Sequence, residues 1–169
     1  SYVSAQKVIQ RLVDVVSKNG SLLLSIPMRG DGTIDSEEEH ILDGISAWMA
    51  LHGDTTIHGS RPWRIFGEGP TQLADGMANE GQISGFTESD VRFLTRDGAL
   101  YAAFLAWPTA PSEIAALGRQ AIGGARVKRV SLVGGGALAF VQDAHALRFH
   151  LPPAPPGAMV PVVRIDGHG

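Results

Sequence analysis

Three groups of side chains have the types and spacings from which chemistry could be built. In Pro27-Met28-Arg29-Gly30-Asp31-Gly32 a guanidinium and a carboxylate stand two positions apart on a glycine-rich loop. Such a pair can edge a binding pocket, Arg29 donating to a polar ligand and Asp31 accepting from it. The same spacing fits a tight turn in which Asp31 accepts backbone hydrogen bonds and Arg29 pairs with an acid. Neither residue suits the role of nucleophile. Glu37-Glu38-Glu39 offers three adjacent carboxylates. Neighbours in the first turn of a helix point in different directions, however, and the positive end of the helix dipole accounts for them as capping charges. Arg61-Pro62-Trp63 sets a cation beside an indole. It could stack on and hydrogen-bond a hydroxyl-rich ligand. The structural alternative buries Trp63 and pairs Arg61 with an acid such as Asp54, pinning a linker between two parts of the chain. Trp107 divides the same way, between core and exposed platform.

Other chemistries lack a pattern. His52 and His58 straddle a turn, and His145 and His150, five apart on a strand, point to opposite faces. With no cysteine there is neither a thiolate site nor a disulfide. Gly134-Gly135-Gly136 lacks the lysine and hydroxyl residue of a phosphate loop, and Gly-x-Ser-x-Gly does not occur. No metal and no cofactor are expected.

Those side chains have to be held by the elements around them. Ser4 is placed to cap a helix on which Val8, Ile9, Leu12, Val13, Val15 and Val16 recur at helical spacing. Asn19-Gly20 tolerates the left-handed backbone that ends one. Leu22-Leu23-Leu24-Ser25-Ile26 reads as a short strand buried on both faces, as in parallel sheets covered by helices. After the loop, Asp35 with Glu38 forms an acidic capping box. Ile41, Leu42, Ile45, Trp48 and Met49 share one helical face, and Gly53 is expected to close it. Helix, strand, helix is α/β grammar.

Beyond Gly53, β-type runs punctuated by turn residues at intervals of roughly ten indicate a sandwich or barrel. Arg92–Thr95 and Leu100–Trp107 flank Asp97-Gly98, a hairpin dipeptide. Val127–Val133 and Ala137–Gln142 flank the glycine triplet. His145–Leu151 alternates, with Leu147, Phe149 and Leu151 on one face, and Val160–Ile165 follows Pro152-Pro153-Ala154-Pro155-Pro156. Roughly six to eight strands are expected, without the repeats of a propeller.

Composition narrows the partners. Hydrophobic residues make up 44% of the 169, enough for a core, and 14 basic residues nearly balance 17 acidic ones. No basic block exceeds Lys128-Arg129, which sets nucleic acid aside. The longest apolar run, near Leu22–Ile26, is far too short to cross a bilayer, so no membrane partner is expected. Ser1-Tyr2-Val3-Ser4 shows neither an initiator methionine nor a signal-peptide pattern, and a chain cut from a longer protein is expected. Nothing in the composition identifies a compartment.

Leu12-Val13-Asp14-Val15-Val16-Ser17-Lys18-Asn19-Gly20-Ser21-Leu22-Leu23-Leu24, then Arg29-Gly30-Asp31-Gly32-Thr33-Ile34, then Gly59-Ser60-Arg61-Pro62-Trp63 stand in one order and spacing. Together they resemble the α-L-fucosidase family of retaining glycoside hydrolases. The match is close over residues 1–70 and beyond them rests on a β-rich tail. Family members often have tyrosine where this chain has His58.

The resemblance implies an α+β chain, the terminal βα piece of a (β/α)8 barrel followed by an antiparallel β-sandwich. Residues 1–53 would be the barrel remnant, 54–70 a linker and 71–169 the sandwich. The remnant supplies about one fifth of the roughly 250 residues a complete barrel needs. The resemblance also implies that the intact enzyme releases terminal α-L-fucose from fucosylated glycans by double displacement. An aspartate attacks the anomeric carbon and a glutamate serves as acid and then base, the two carboxyls about 5–5.5 Å apart. Both belong to earlier strands and loops, so no catalytic residue is carried over to this chain. Arg29 and Asp31 then fall at the edge of the sugar pocket, and Arg61 and Trp63 between barrel and sandwich. An unpaired barrel strand at Leu22–Ile26 implies self-association or association with the missing barrel portion. The alternative is a non-catalytic carbohydrate-binding or oligomerisation sandwich module.

Overall fold

The computed structural model describes residues 3–71 and 85–169. The positions 72–84, at the start of the expected sandwich, lie outside the described residues. Helix α1 (Ala5–Ser17) begins where the Ser4 hydroxyl accepts a hydrogen bond from the Lys7 amide. It ends in a Schellman turn, with Gly20 N–H donating to the Val15 carbonyl and Asn19 N–H to that of Val16. Asn19 takes the left-handed position at φ 64°.

Helix α2 (Ser36–His52) starts on the Asp35 carboxylate, which accepts from the Glu38 amide, and carries Glu37, Glu38 and Glu39 in its first turn. Gly53 does not close it. The backbone there stays right-handed, and the chain runs on into a π-helical turn, Gly53–Ile57, where His58 N–H donates to the Gly53 carbonyl. Glycine serves close approach instead, since a Cβ would press on the Met49 and His58 side chains. The left-handed residue that redirects the chain is Gly59, at φ 71°.

Eight strands follow among the described residues: β1 (Arg61–Glu68), β2 (Val91–Arg96), β3 (Ala99–Phe104), β4 (Ser112–Ile114), β5 (Arg129–Leu132), β6 (Phe140–Gln142), β7 (Leu147–Phe149) and β8 (Val162–Asp166). They form a five-stranded sheet, β1-β2-β3-β8-β5, and a three-stranded sheet, β4-β7-β6. Each of these pairings is antiparallel. The β2–β3 hairpin turns on Asp97 and Gly98 at φ 50° and 81°, the two positive values of a type I′ turn. At the glycine triplet, Leu138 N–H still reaches the Val130 carbonyl and Ser131 bridges Ala137, but β6 then crosses to the smaller sheet.

The larger sheet is covered on both faces. Phe93, Leu100, Phe104 and Ile165 meet Ile114, Leu147 and Phe149 of the smaller-sheet side, with Phe104 edge-on to Phe149 at 5.9 Å. On the opposite face Tyr101, Ala103, Leu105 and Val162 pack with Ile9 and Val13 of α1 and Trp48 of α2. That is why every residue of β3 is buried rather than every second one. Each fully buried large apolar side chain contributes about 1.5–3 kcal/mol.

Two segments differ from their expected roles. The stretch 54–70, expected as a linker, contains β1, paired to β2 with Trp63 packed against the sandwich core. Leu22–Ile26, expected as a buried strand, has no ladder partner among the described residues, and Leu23 is 92% exposed. A run of leucines signals the need for cover, which a strand gets only where neighbours exist. The result is a mixed fold of helices and open antiparallel sheets. No helix among the described residues is long and apolar enough to cross a membrane.

Candidate functional site

The loop after Leu22–Ile26 closes on itself. Arg29 N–H donates to the Thr33 carbonyl at 2.7 Å, and Gly32 N–H to that of Arg29 at 2.9 Å, with Gly32 at φ 83°. The Asp31 carboxylate accepts from the Thr33 hydroxyl at 2.6 Å and its amide at 2.9 Å. The Thr33 hydroxyl and then its amide hold the Asp31 pKa below the ordinary carboxylate value, so Asp31 is a fixed anion and not a proton donor. Arg29 and Asp31 both lie exposed on this turn. Among the described residues neither side chain is hydrogen-bonded or ion-paired to a second carboxylate.

Arg61 and Trp63 sit on β1. Arg61 donates to the neighbouring Ser60 carbonyl, and its own carbonyl accepts from Thr95. Among the described residues no ion pair joins it to Asp54. Trp63 lies edge-on to Phe93, ring centres 5.1 Å apart, and the Arg64 guanidinium covers it at 4.5 Å. An indole so covered closes the margin of the core and offers little free face for stacking. Trp107 spends its Nε1–H on the Pro152 carbonyl at 2.9 Å.

A cleft of about 270 Å³ opens where α2 meets the larger sheet, lined by Trp48, Leu51, His52, Trp107, Val133 and Met159 among others. Trp48 donates from Nε1 to the Val160 carbonyl at 2.8 Å, and its ring lies 5.0 Å from that of His52. Burial drops the His52 pKa to about 4, leaving a neutral imidazole with Nδ1 unpartnered. Among the described residues no three of His, Asp and Glu converge where a metal ion could be held.

Sequence reasoning missed the polar ribbon of α1. Gln10, Asp14 and Ser17 are all buried; Gln10 donates to the Leu105 carbonyl and Asp14 pairs with Arg92. Their spacing of four and then three was the available signal, since it places polar residues on the face that also carries Val13.

Comparison with known proteins locates this arrangement. The sequence model of the family described as alpha-L-fucosidase matches residues 1–54. Rat tissue alpha-L-fucosidase is 27% identical over 157 residues, covering 92% of this chain and 29% of the rat protein. The human tissue enzyme is 29% identical over 102 residues, 60% of this chain and 18% of its own length. In fold, the chain is similar to Thermotoga maritima alpha-fucosidase in complex with a mechanism-based inhibitor, at TM-score 0.71 and 24% identity over 96% of this chain and 34% of that one. It is likewise similar to alpha-L-fucosidase isoenzyme 1 from Paenibacillus thiaminolyticus, at TM-score 0.71 and 22% identity over 98% and 35%. The chain thus spans about a third or less of each relative it matches, and it resembles the C-terminal region of the α-L-fucosidases in both sequence and fold.

Proposed function

We propose that this chain is the C-terminal part of an α-L-fucosidase, which as a whole enzyme releases terminal α-L-fucose from fucosylated glycans with retention. One observation carries the proposal: similarity runs over 92% of this chain but only 29% of the rat enzyme. On this reading residues 1–53 complete the barrel and 71–169 form the sandwich, while the two catalytic carboxylates belong to the remainder. Arg29 and Asp31 edge the sugar pocket from the loop at 27–33. Arg61 and Trp63 are structural, holding β1 at the junction.

The exposed side chains of Leu23, Leu24, Ile26 and Met28 support a further part of the reading. An unladdered apolar segment is covered by strands of the remaining barrel or, in their absence, by another copy of the chain. The purified chain is expected to give no turnover of an aryl α-L-fucoside, and added N-terminal barrel portion is expected to restore it. Robust hydrolysis by the chain alone would overturn the proposal. In the whole enzyme Arg29→Ala is expected to raise KM several-fold with little effect on kcat.

A further inference from the structure

Most cations of the sheets are tied down. Arg92 pairs with Asp14, Arg96 with Asp97, Arg148 with Glu113 and Asp143, and Arg164 with Asp166. The stretch 119–129 departs from that pattern. It holds Arg119, Arg126, Lys128 and Arg129 and no acid, and among the described residues none of these four side chains makes an ion pair or hydrogen bond. Asp166, across the strand pair from Arg129, is already engaged by Arg164.

Two of the free cations line a concavity. Arg126 and Lys128 flank Val127, which is buried in the sandwich core, and with Gly98, Gly167 and His168 they line an open groove of about 360 Å³. Gly167, at φ 90°, brings the chain so close that a Cβ would lie 2.8–2.9 Å from the Arg126 carbonyl and from Lys128. His168 stands edge-on to Trp63 at 6.1 Å, and its Nδ1 is buried without a partner. Among the described residues the groove therefore has two unpaired cations and no side-chain carboxylate on its lining, with the His168 Nδ1 buried behind it.

We infer that this groove binds a single oxyanion carried on a glycan, either a sulfate ester or a uronate carboxylate. The glycan carrier rests on the fucosidase reading, whereas the anion rests on the groove alone. A formal net charge of −3 and only two lining cations favour one anionic group over the long phosphate array of a nucleic acid.

The test is an amide NMR titration of the isotope-labelled chain with inorganic sulfate, a sulfated monosaccharide, a uronic acid and neutral fucose. Ionic strength is held constant with sodium chloride. Saturable shifts at Gly98, Gly167 and His168 are expected for sulfate and for at least one acidic sugar, and none for fucose. Arg126→Ala with Lys128→Ala is expected to weaken binding at least tenfold while leaving the melting temperature unchanged. Shifts that follow ionic strength, or that survive the double substitution, mean an adventitious ion only and overturn the inference. Tighter binding of a DNA oligonucleotide than of either acidic sugar overturns the glycan assignment. In the whole enzyme the same double variant is expected to keep its aryl α-L-fucoside turnover, so a failed fucosidase reading is detected separately.

Discussion

The Asp14 carboxylate accepts a hydrogen bond from Arg92 Nε at 2.7 Å across the boundary between α1 and the larger sheet, both side chains 4% exposed or less. Lys18 holds the other carboxylate oxygen at 3.1 Å, and the rings of Phe66 and Phe86 lie 5.4 and 5.5 Å from the guanidinium. Removing Asp14 leaves the Arg92 charge buried without a counterion, whereas removing Arg92 leaves Asp14 with Lys18. Asp14→Ala is expected to cost about 3–5 kcal/mol of stability. Replacing both residues, Asp14→Leu with Arg92→Met, is expected to cost less than the two single changes summed. Urea denaturation of the four proteins measures the coupling, and strict additivity would show that the pair does not act as a unit.

His52 makes the fold sensitive to mild acid. Burial lowers its pKa from 6.5 to about 4, so between those values the unfolded chain binds a proton that the folded chain refuses. Stability from this group is complete above pH 6.5, falls as the pH drops, and levels off near pH 4. A shift of this size corresponds to about 3 kcal/mol at most. Denaturation midpoints from pH 7.5 to 4 should fall more steeply for the native chain than for a His52→Phe variant; parallel curves would exclude His52 as the cause.

Asp90 acts as the knot of the β1–β2 connection. Its carboxylate accepts from the amides and the hydroxyls of both Thr71 and Thr87. Burial pushes its pKa upward, but these four donors outweigh it and hold it below the ordinary value. Asp90→Ala leaves those donors unmet and is expected to lower stability by about 2–3 kcal/mol. Thermal melting reports the loss, and Asp90→Asn, which retains an acceptor oxygen, should recover part of it.

Leu23 and Ile26 test the open segment. Both side chains face solvent in the single chain, so Leu23→Asp with Ile26→Asp should leave its melting temperature within a degree or two. The same pair of changes is expected to convert a self-associating chain to monomer in sedimentation. A native chain already monomeric at high concentration would contradict the association reading.

Local punctuation was the most legible part of the fold. Ser4, Asp35, Asn19-Gly20 and Asp97-Gly98 all cap or turn as their chemistry requires, because those preferences depend on a few neighbouring atoms. Gly53 misled because it answers to packing against Met49 and His58 rather than to a left-handed backbone. β1 was hidden by its exposure: Arg61, Arg64 and Glu68 give it no alternating signature, and its place depends on the Trp63–Phe93 contact. At the candidate site, the Asp31 turn could be read from Asp-Gly-Thr, whereas the burial of His52 depends on a partner sheet distant in sequence.

Sharing the larger sheet between two neighbours has a consequence for any attempt to divide the chain. Clipping the backbone ahead of Arg61 and discarding the helices would leave Tyr101, Leu105, Val160 and Val162 as a greasy floor open to water. Truncation there is expected to yield insoluble protein, even though sequence composition changes near that point. The boundary read from composition is, in the folded body, a packed apolar interface.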